Sequence, residues 1–270
     1  MVGDEGSAGG RAARLTAGLR DAYDTAADGW ADGPEQLYAV LARALLSSAA
    51  VPLAGRQVLD LGAGTGVAGR AALAAGAHRV VAADLAAGML RRCGAVLHPV
   101  AADAAALPFR DGSFDLVVAA FCLNHLANVA VGLGEARRVG RALAASTFAP
   151  GWTHPAKAAV DQALRPLGYR PPAWYASVKR ETEPRAGDPA RLGERAAAAG
   201  FTRVRVRTTA VPTGLDTPAQ LASWRLGMAH LAPFLRSLDA PGRADARRAA
   251  ERAVAGTGPL VVSMVVLTAS

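Results

Sequence analysis

The sequence predicts an α/β protein: a doubly wound, seven-stranded, mostly parallel sheet with an antiparallel C-terminal edge strand and helical lid insertions. Two observations on the 270-residue chain lead there. Over residues 51–150, short apolar runs alternate with helix-forming segments, the pattern of a parallel sheet covered on both faces. After residue 150 that rhythm gives way to segments rich in Pro and aromatics, then to two further strand-like runs.

Strands are expected at "QVLDLG" (57–62), "RVVAAD" (79–84), "LHPVAA" (97–102), "FDLVVAAF" (114–121) and "RALAASTF" (141–148). The first two are continuous Val- and Leu-rich runs, as central strands buried on both faces require. Between them, "VAGRAALAAGA" has good helix formers and Gly76 placed as a C-terminal stop. The stretch from Ala149 to Asp188 reads as an insertion over one edge of the sheet. A helix, "DPARLGERAAAAG", then leads into an alternating strand at 201–212. In "DTPAQLASWRLGMAHLAPFLRSL", Thr217 and Gln220 have the form of a capping box, with Pro218 at the tolerated first position. Leu221, Trp224, Met228 and Leu231 are expected on one face of that helix. A charged helix, "GRADARRAAERAVAG", precedes the last strand at 259–268.

Composition narrows the function classes. Apolar residues make up 51% of the chain, enough for a sizeable core. Arginine greatly outnumbers lysine, whose only positions are Lys157 and Lys179, a bias that reads as codon usage. "MVGDEGSAGG" carries no apolar run and does not read as a secretory signal. "PLVVSMVVLTA" is too short to span a bilayer. Cys93 and Cys122 lack metal-ligand spacing, so no metal and no disulfide is expected. A soluble, cytoplasmic protein follows, a monomer or homodimer without membrane contact. The net charge of +8 lies wholly in residues 151–270, since residues 1–150 hold 13 basic and 13 acidic groups. Such asymmetry fits solvated helices, an acidic substrate or nucleic acid.

The chemistry starts at "VLDLGAGTG" (58–66). Its glycines, Gly62, Gly64 and Gly66, are spaced G-x-G-x-G, where a dinucleotide fingerprint prefers a longer last step. A phosphate loop would end in Gly-Lys-Ser/Thr, which is absent. The second strand ends at Asp84, able to accept both hydrogen bonds of a ribose diol, and the third ends at Asp103. Glycine turn and two carboxylates thus share the carboxyl edge of the sheet, where open α/β sheets bind ligands.

"VLDLGAGTG", "VVAADLAAGML" and "AADAAALPFRDGSFDLVVAAFCLNHL" together resemble the class I S-adenosylmethionine (SAM) dependent methyltransferases. The likeness is to the small-molecule branch that includes the ubiquinone- and menaquinone-biosynthesis C-methyltransferases, and it covers roughly residues 20–150. It implies a Rossmann-like methyltransferase fold and SAM as cofactor. The chain then divides into an N-terminal helical cap (1–50), a SAM-binding core (51–150) and the rest of the sheet with lid and acceptor-binding insertions (151–270), all one catalytic domain. The resemblance assigns Asp60 and the backbone of Gly62, Ala63 and Gly64, with Gly66, to the amino-acid end of SAM. Asp84 goes to the ribose hydroxyls, Leu85 and Met89 flank the adenine, and Asp103 and the Ala104 N–H meet its edge. The backbone near Phe121 lines the methionine end. "EARRVGRALAAS" departs from the family, lacking its "RPGG"-like turn before the fifth strand. Asp115 begins its strand at the far end and reads as structural.

His125, in "FCLNHL", is the candidate general base, because an imidazole titrates near neutrality; the bland alternative is a pocket-shaping hydrogen bond. Cys122 reads as a wall residue. The acceptor pocket is expected from Tyr23, Trp30, Phe148, Trp152, Trp174, Tyr175, Trp224 and Met228, aromatics suited to an apolar or aromatic small molecule. Trp224 and Met228 also fit as core.

The reading that follows is methyl transfer from SAM to a small metabolite, on O, N or C, in secondary-metabolite or quinone-like biosynthesis. An RNA-directed methyltransferase is the alternative, against which stand the missing Asn/Asp-Pro-Pro-aromatic signature and the missing RNA-binding module. A SAM-binding cyclase or regulator that no longer methylates is the third reading.

Overall fold

The computed structural model describes residues 5–270, with side chains from Thr16 onward; the first four residues of the expected helical cap lie outside it. Two helices, α1 (Glu5–Asp32) and α2 (Pro34–Leu46), precede β1 (Gln57–Leu61). Then follow α3 (Val67–Ala74), β2 (Arg79–Asp84), α4 (Ala87–Cys93), β3 (Pro99–Ala101), β4 (Phe114–Ala120), α5 (Val129–Val139) and β5 (Gly140–Phe148). The second half carries α6 (Pro155–Leu164), α7 (Ala173–Ser177), α8 (Glu183–Gly187), α9 (Pro189–Ala198) and β6 (Arg205–Pro212). It ends with α10 (Pro218–Leu226), α11 (Ala232–Ser237), α12 (Ala240–Val254) and β7 (Val261–Ala269).

The sheet has seven strands in the order β3-β2-β1-β4-β5-β7-β6. The first five are parallel, and β7 runs antiparallel to both β5 and β6. The last strand is antiparallel as expected but sits one place in from the edge, which β6 occupies. Alternation along the strands divides the core. Val58, Val80, Leu116 and Ala142 face α2, α3, α6, α10 and α12, while Leu59, Val81, Val117 and Leu143 face α5 and α9.

Three expected elements shift for local reasons. Strand β3 begins at Pro99, because Ala95–Leu97 forms a 3-10 turn and His98 is left-handed at φ +46°. β6 begins at Arg205: the Thr202 and Arg203 N–H groups are donated instead to the carbonyl of Ser270, and Phe201 is buried below the sheet. α10 keeps its Thr217–Gln220 capping box but stops at Leu226, so Met228 and Leu231 belong to the turn beyond it. The insertion after β5 also divides. α6 packs with α10 and α12, whereas residues 173–187 reach α1, β5 and the turn after β4 at the carboxyl end of the sheet.

The missing "RPGG" turn is absorbed without a loop. α5 passes directly into β5 at Gly140, whose extended backbone (φ −128°) ends the helix, and a Cβ there would collide with Val117. Helix α1 lies close on α4 at Gly88, where a Cβ would come 2.8 Å from the Asp24 carbonyl oxygen.

Candidate functional site

A cavity of about 380 Å³ opens at the carboxyl ends of β1, β2 and β4 and the turn after β3. All three glycines of the turn have left-handed backbones, φ +68° at Gly62, +56° at Gly64 and +86° at Gly66, a region costly for residues with a Cβ. Their surroundings differ. A Cβ on Gly62 would stand 2.6 Å from Cys122 Sγ, and one on Gly66 2.6 Å from Cys93 Sγ. Nothing lies within 4 Å of the corresponding point on Gly64, which lines the cavity. A side chain at either outer glycine would collide with a cysteine, whereas at Gly64 only open cavity lies where a side chain would stand. Gly66, expected beside SAM, caps α3 instead and does not line the cavity.

Two carboxylates flank this opening. Asp60 is 1% exposed; its Oδ2 accepts the Gly69 N–H at 2.6 Å, and its Oδ1 has no partner. Burial pushes its carboxyl up to about 7, against the pull of the Gly69 hydrogen bond. Asp84 accepts the Gly64 N–H on Oδ2 and the Ala86 N–H on Oδ1, both at 2.8 Å, so it also braces the turn. Burial raises its pKa as well.

Ala63, Leu85, Met89, Asp103, Ala104 and Phe121 line the same cavity. Asp103 accepts the Ala105 N–H at 2.8 Å, a local capping bond that leaves its second oxygen free. Phe121 has φ +54°, rare for a bulky residue, and its N–H reaches the Ser146 carbonyl at 3.0 Å. Asp115 lies at the opposite end, accepting the Gln57 N–H and facing Arg56 and Arg141.

The N-terminal helices close the cavity with rings. Trp30 stacks on Tyr38 at 5.0 Å, and Tyr38 meets Phe121 edge-on at 5.5 Å. Glu35 ties α2 to the glycine turn: it accepts the Thr65 hydroxyl at 2.7 Å and pairs with Arg70, which also donates to the Thr65 carbonyl.

His125 lies on the 3-10 turn Leu123–His125 after β4. Its Nε2 is 3.1 Å from the Tyr23 hydroxyl and 3.3 Å from the Asn124 amide nitrogen; its Nδ1 is buried without a partner. Burial, helped by Lys179, lowers its pKa to about 4, so the ring is neutral at pH 7.

Beyond Tyr23, Tyr38 and His125, which line both spaces, lies a second cavity of about 50 Å³. Phe148, Trp174, Tyr175, Trp224 and Met228 of the expected acceptor set line it, Met228 from the turn after α10. Trp30 lines the larger cavity. Trp152 lines neither: it stacks on Phe148 at 4.8 Å and donates its Nε1–H to the Val261 carbonyl at 3.0 Å, supporting the wall from behind.

Residues that pattern reading passed over complete the second cavity: Tyr38, Lys157, Lys179, Glu183, Arg225 and His230. Arg225, 1% exposed, bonds Asp161 at 2.8 Å and lies 3.0 Å from His230 Nε2. His230 stacks flat on Tyr175 at 3.9 Å, and burial beside Arg225 holds it neutral. One signal was available, since both lysines of the chain are here. Among the described residues no group of His, Cys, Asp and Glu is arranged to hold a metal ion, Cys93 and Cys122 are free and buried, and no helix is long and apolar enough to cross a membrane.

Comparison with known proteins agrees with this geometry. Residues 59–143 match a methyltransferase domain family. The demethylmenaquinone methyltransferase of Clavibacter sepedonicus is 41% identical over 127 residues, 45% of this chain and 50% of that protein. The chain thus matches about half the length of that relative. A structure from Anabaena variabilis, described as a methyltransferase of an antibiotic biosynthesis pathway, superposes with a TM-score of 0.58 at 14% identity, covering 84% of this chain and 95% of its own. A Haloferax volcanii methyltransferase in complex with the activator Trm112 gives 0.58 at 19%, covering 93% and 96%; both likenesses concern the fold. The clear space over Gly64 and the unpartnered, buried Asp60 oxygen fit the amino-acid end of SAM, and an apolar cavity with Asp84 at a strand end fits its nucleoside. Residues 59–143 therefore carry a methyltransferase domain, and over that part of the chain the sequence is similar to demethylmenaquinone methyltransferases.

Proposed function

We propose that this protein transfers the methyl group of SAM to a small organic acceptor held in the second cavity, in secondary-metabolite or quinone-like biosynthesis. The observation that carries the reading is the adjacency of the two spaces: Tyr23, Tyr38 and His125 line both the cofactor cavity and a smaller aromatic one.

When bound, SAM supplies a methyl group already activated on a positively charged sulfur. What remains for the chain is to bind, align and exclude water, and alignment alone is worth about 7–11 kcal/mol in favourable cases. In this reading Asp60 and the backbone of Gly62, Ala63 and Gly64 hold the amino-acid end. Asp84 takes the ribose hydroxyls, Leu85 and Met89 sandwich the adenine, and Asp103 with the Ala104 N–H reads its edge. Tyr23, Trp30 and Tyr38 shut the cavity against water. His125 stands where the acceptor's reacting atom must lie. Neutral at pH 7, it has a site for a departing proton, but with a pKa near 4 it is a weak base. The nucleophile must then be an uncharged lone pair or a group acidic in its own right.

RNA is disfavoured as acceptor by the placement of the basic excess. Several arginines of this half are neutralised in local ion pairs on exposed helices, such as Arg247–Glu251 and Arg248–Asp245 on α12 and Arg191 with Asp188, the cap of α9. The test uses methyl-labelled SAM with the purified protein and a small-molecule extract and RNA from the source cells. Enzyme-dependent label in the small-molecule fraction is expected. Label in RNA refutes the reading, and so does bound SAM that never loses its methyl group, which points to a non-methylating role.

A further inference from the structure

The second cavity is lined with cations. Lys157 on α6 and Lys179 both reach it, and their ammonium groups stand 5.4 Å and 6.0 Å from the centroid of the same ring, Phe148. These are the only lysines in the sequence, which uses arginine for every other side-chain cation apart from its histidines. Each presents a compact ammonium with three donors on a flexible stem.

The two lysines are held differently. Lys179 pairs with Glu183 at 2.5 Å. Lys157 sits 3.8 Å above the Trp152 ring, and no carboxylate among the described residues pairs with it. The other charged and titratable groups nearby are Arg225, already bonded to Asp161, and His125, His230 and Tyr175. Burial lowers the pKa of Lys157 to about 7, helped by Lys179 and Arg225 and opposed by Glu183 and Asp161. Trp224, also on the wall, has a buried Nε1–H with no partner. Donors outnumber acceptors on this wall, and buried polar groups of this kind ordinarily find partners.

Backbone geometry points the same way. Lys179 lies in a π-helical turn, Val178–Thr182, set between α7 and α8. Such turns shift the side chains that follow and concentrate at functional sites. The volume of about 50 Å³ is several times what one water needs and matches a three-atom head group.

We infer that the acceptor carries a carboxylate, seated in this cavity between Lys157 and Lys179, while its reacting atom lies beside Tyr23 and His125. The carboxylate is an anchor and is not itself methylated. The inference rests on the methyl-transfer reading above and adds to it a chemical class of substrate.

The labelling reaction tests both and separates them. Free SAM is first removed on a cation exchanger, and the enzyme-dependent labelled product is passed over an anion exchanger at neutral pH. Retention, with release by mild acid that protonates carboxylates, is the expected result. Flow-through overturns the carboxylate while leaving methyl transfer intact. Retention through mild acid, the behaviour of phosphate or sulfate esters, overturns it too. The absence of any labelled small molecule refutes methyl transfer itself, and the inference falls with it. Lys157→Met keeps the apolar stem and removes a buried charge, so the fold is expected to be at least as stable. Its KM for the extracted acceptor should rise roughly tenfold or more, the loss of one charge-assisted contact, with SAM affinity within about twofold and a smaller change in kcat. An unchanged KM in both Lys157→Met and Lys179→Met refutes the anchor.

Discussion

The two cavities that meet at His125 are built in opposite ways. The larger comes from neighbouring strand ends roofed by α1, and its charged groups are the acids Asp60, Asp84 and Asp103 with Arg20. The smaller gathers residues between Tyr23 and His230 from several helices, one strand and a π-helical turn, and its charges are mainly cations. An acidic chamber suits a cofactor that carries an ammonium and a diol, and a basic one suits an acceptor with an acid group. On the proposed reading, opposite fields side by side would sort the two ligands before any chemistry occurs.

The largest expected effect that would break this division is at Gly64. Gly64→Val forces a β-branched residue into a left-handed backbone and points it into the cofactor chamber, without a collision elsewhere. SAM affinity, measured by calorimetry, should fall roughly hundredfold. Gly62→Ala should instead act through the Cys122 contact and appear as lost thermal stability. If both act alike, the distinction between a side chain that enters the cavity at Gly64 and one that strikes Cys122 at Gly62 fails.

Acidity sharpens the contrast next. With its carboxyl near 7, Asp60 is increasingly protonated below neutrality and must be ionised to hold an ammonium. SAM affinity should therefore rise with pH through about 7, by at most about tenfold per unit, with proton release detectable in buffers of different ionisation enthalpy. Lys157 has the reverse sign: its charged form is lost above about 7, so acceptor affinity should fall as pH rises. Parallel slopes would refute the opposition of the two chambers.

The smallest effect is expected at their junction. Tyr23→Phe removes the hydroxyl 3.1 Å from His125 Nε2 and should lower kcat about threefold, with both affinities nearly unchanged. A large loss would make Tyr23 itself part of the chemistry.

The cofactor chamber was largely legible because strand ends repeat at near-regular intervals, so one edge of the sheet can be read as a line of text. Asp60, Gly64, Asp84, Asp103 and Phe121 all line it. Gly66 was grouped with them because glycine spacing does not say which face a missing side chain clears. Trp152 was placed in the acceptor wall for a similar reason: an aromatic near a site can line it or brace it, and here Phe148 lies in front.

By itself the sequence determined the strands, the parallel core, the capped helix at Thr217 and the acids at the carboxyl edge, because each follows from contacts within about one element. Tertiary structure alone decided that β7 inserts between β5 and β6, that α1 roofs the cofactor chamber and that Lys157, Lys179 and Arg225 share one small cavity. Those placements depend on which faces fit together across stretches of chain far longer than one element. No local propensity encodes that fit, and the packing of Gly88 against Asp24 or of His230 on Tyr175 does.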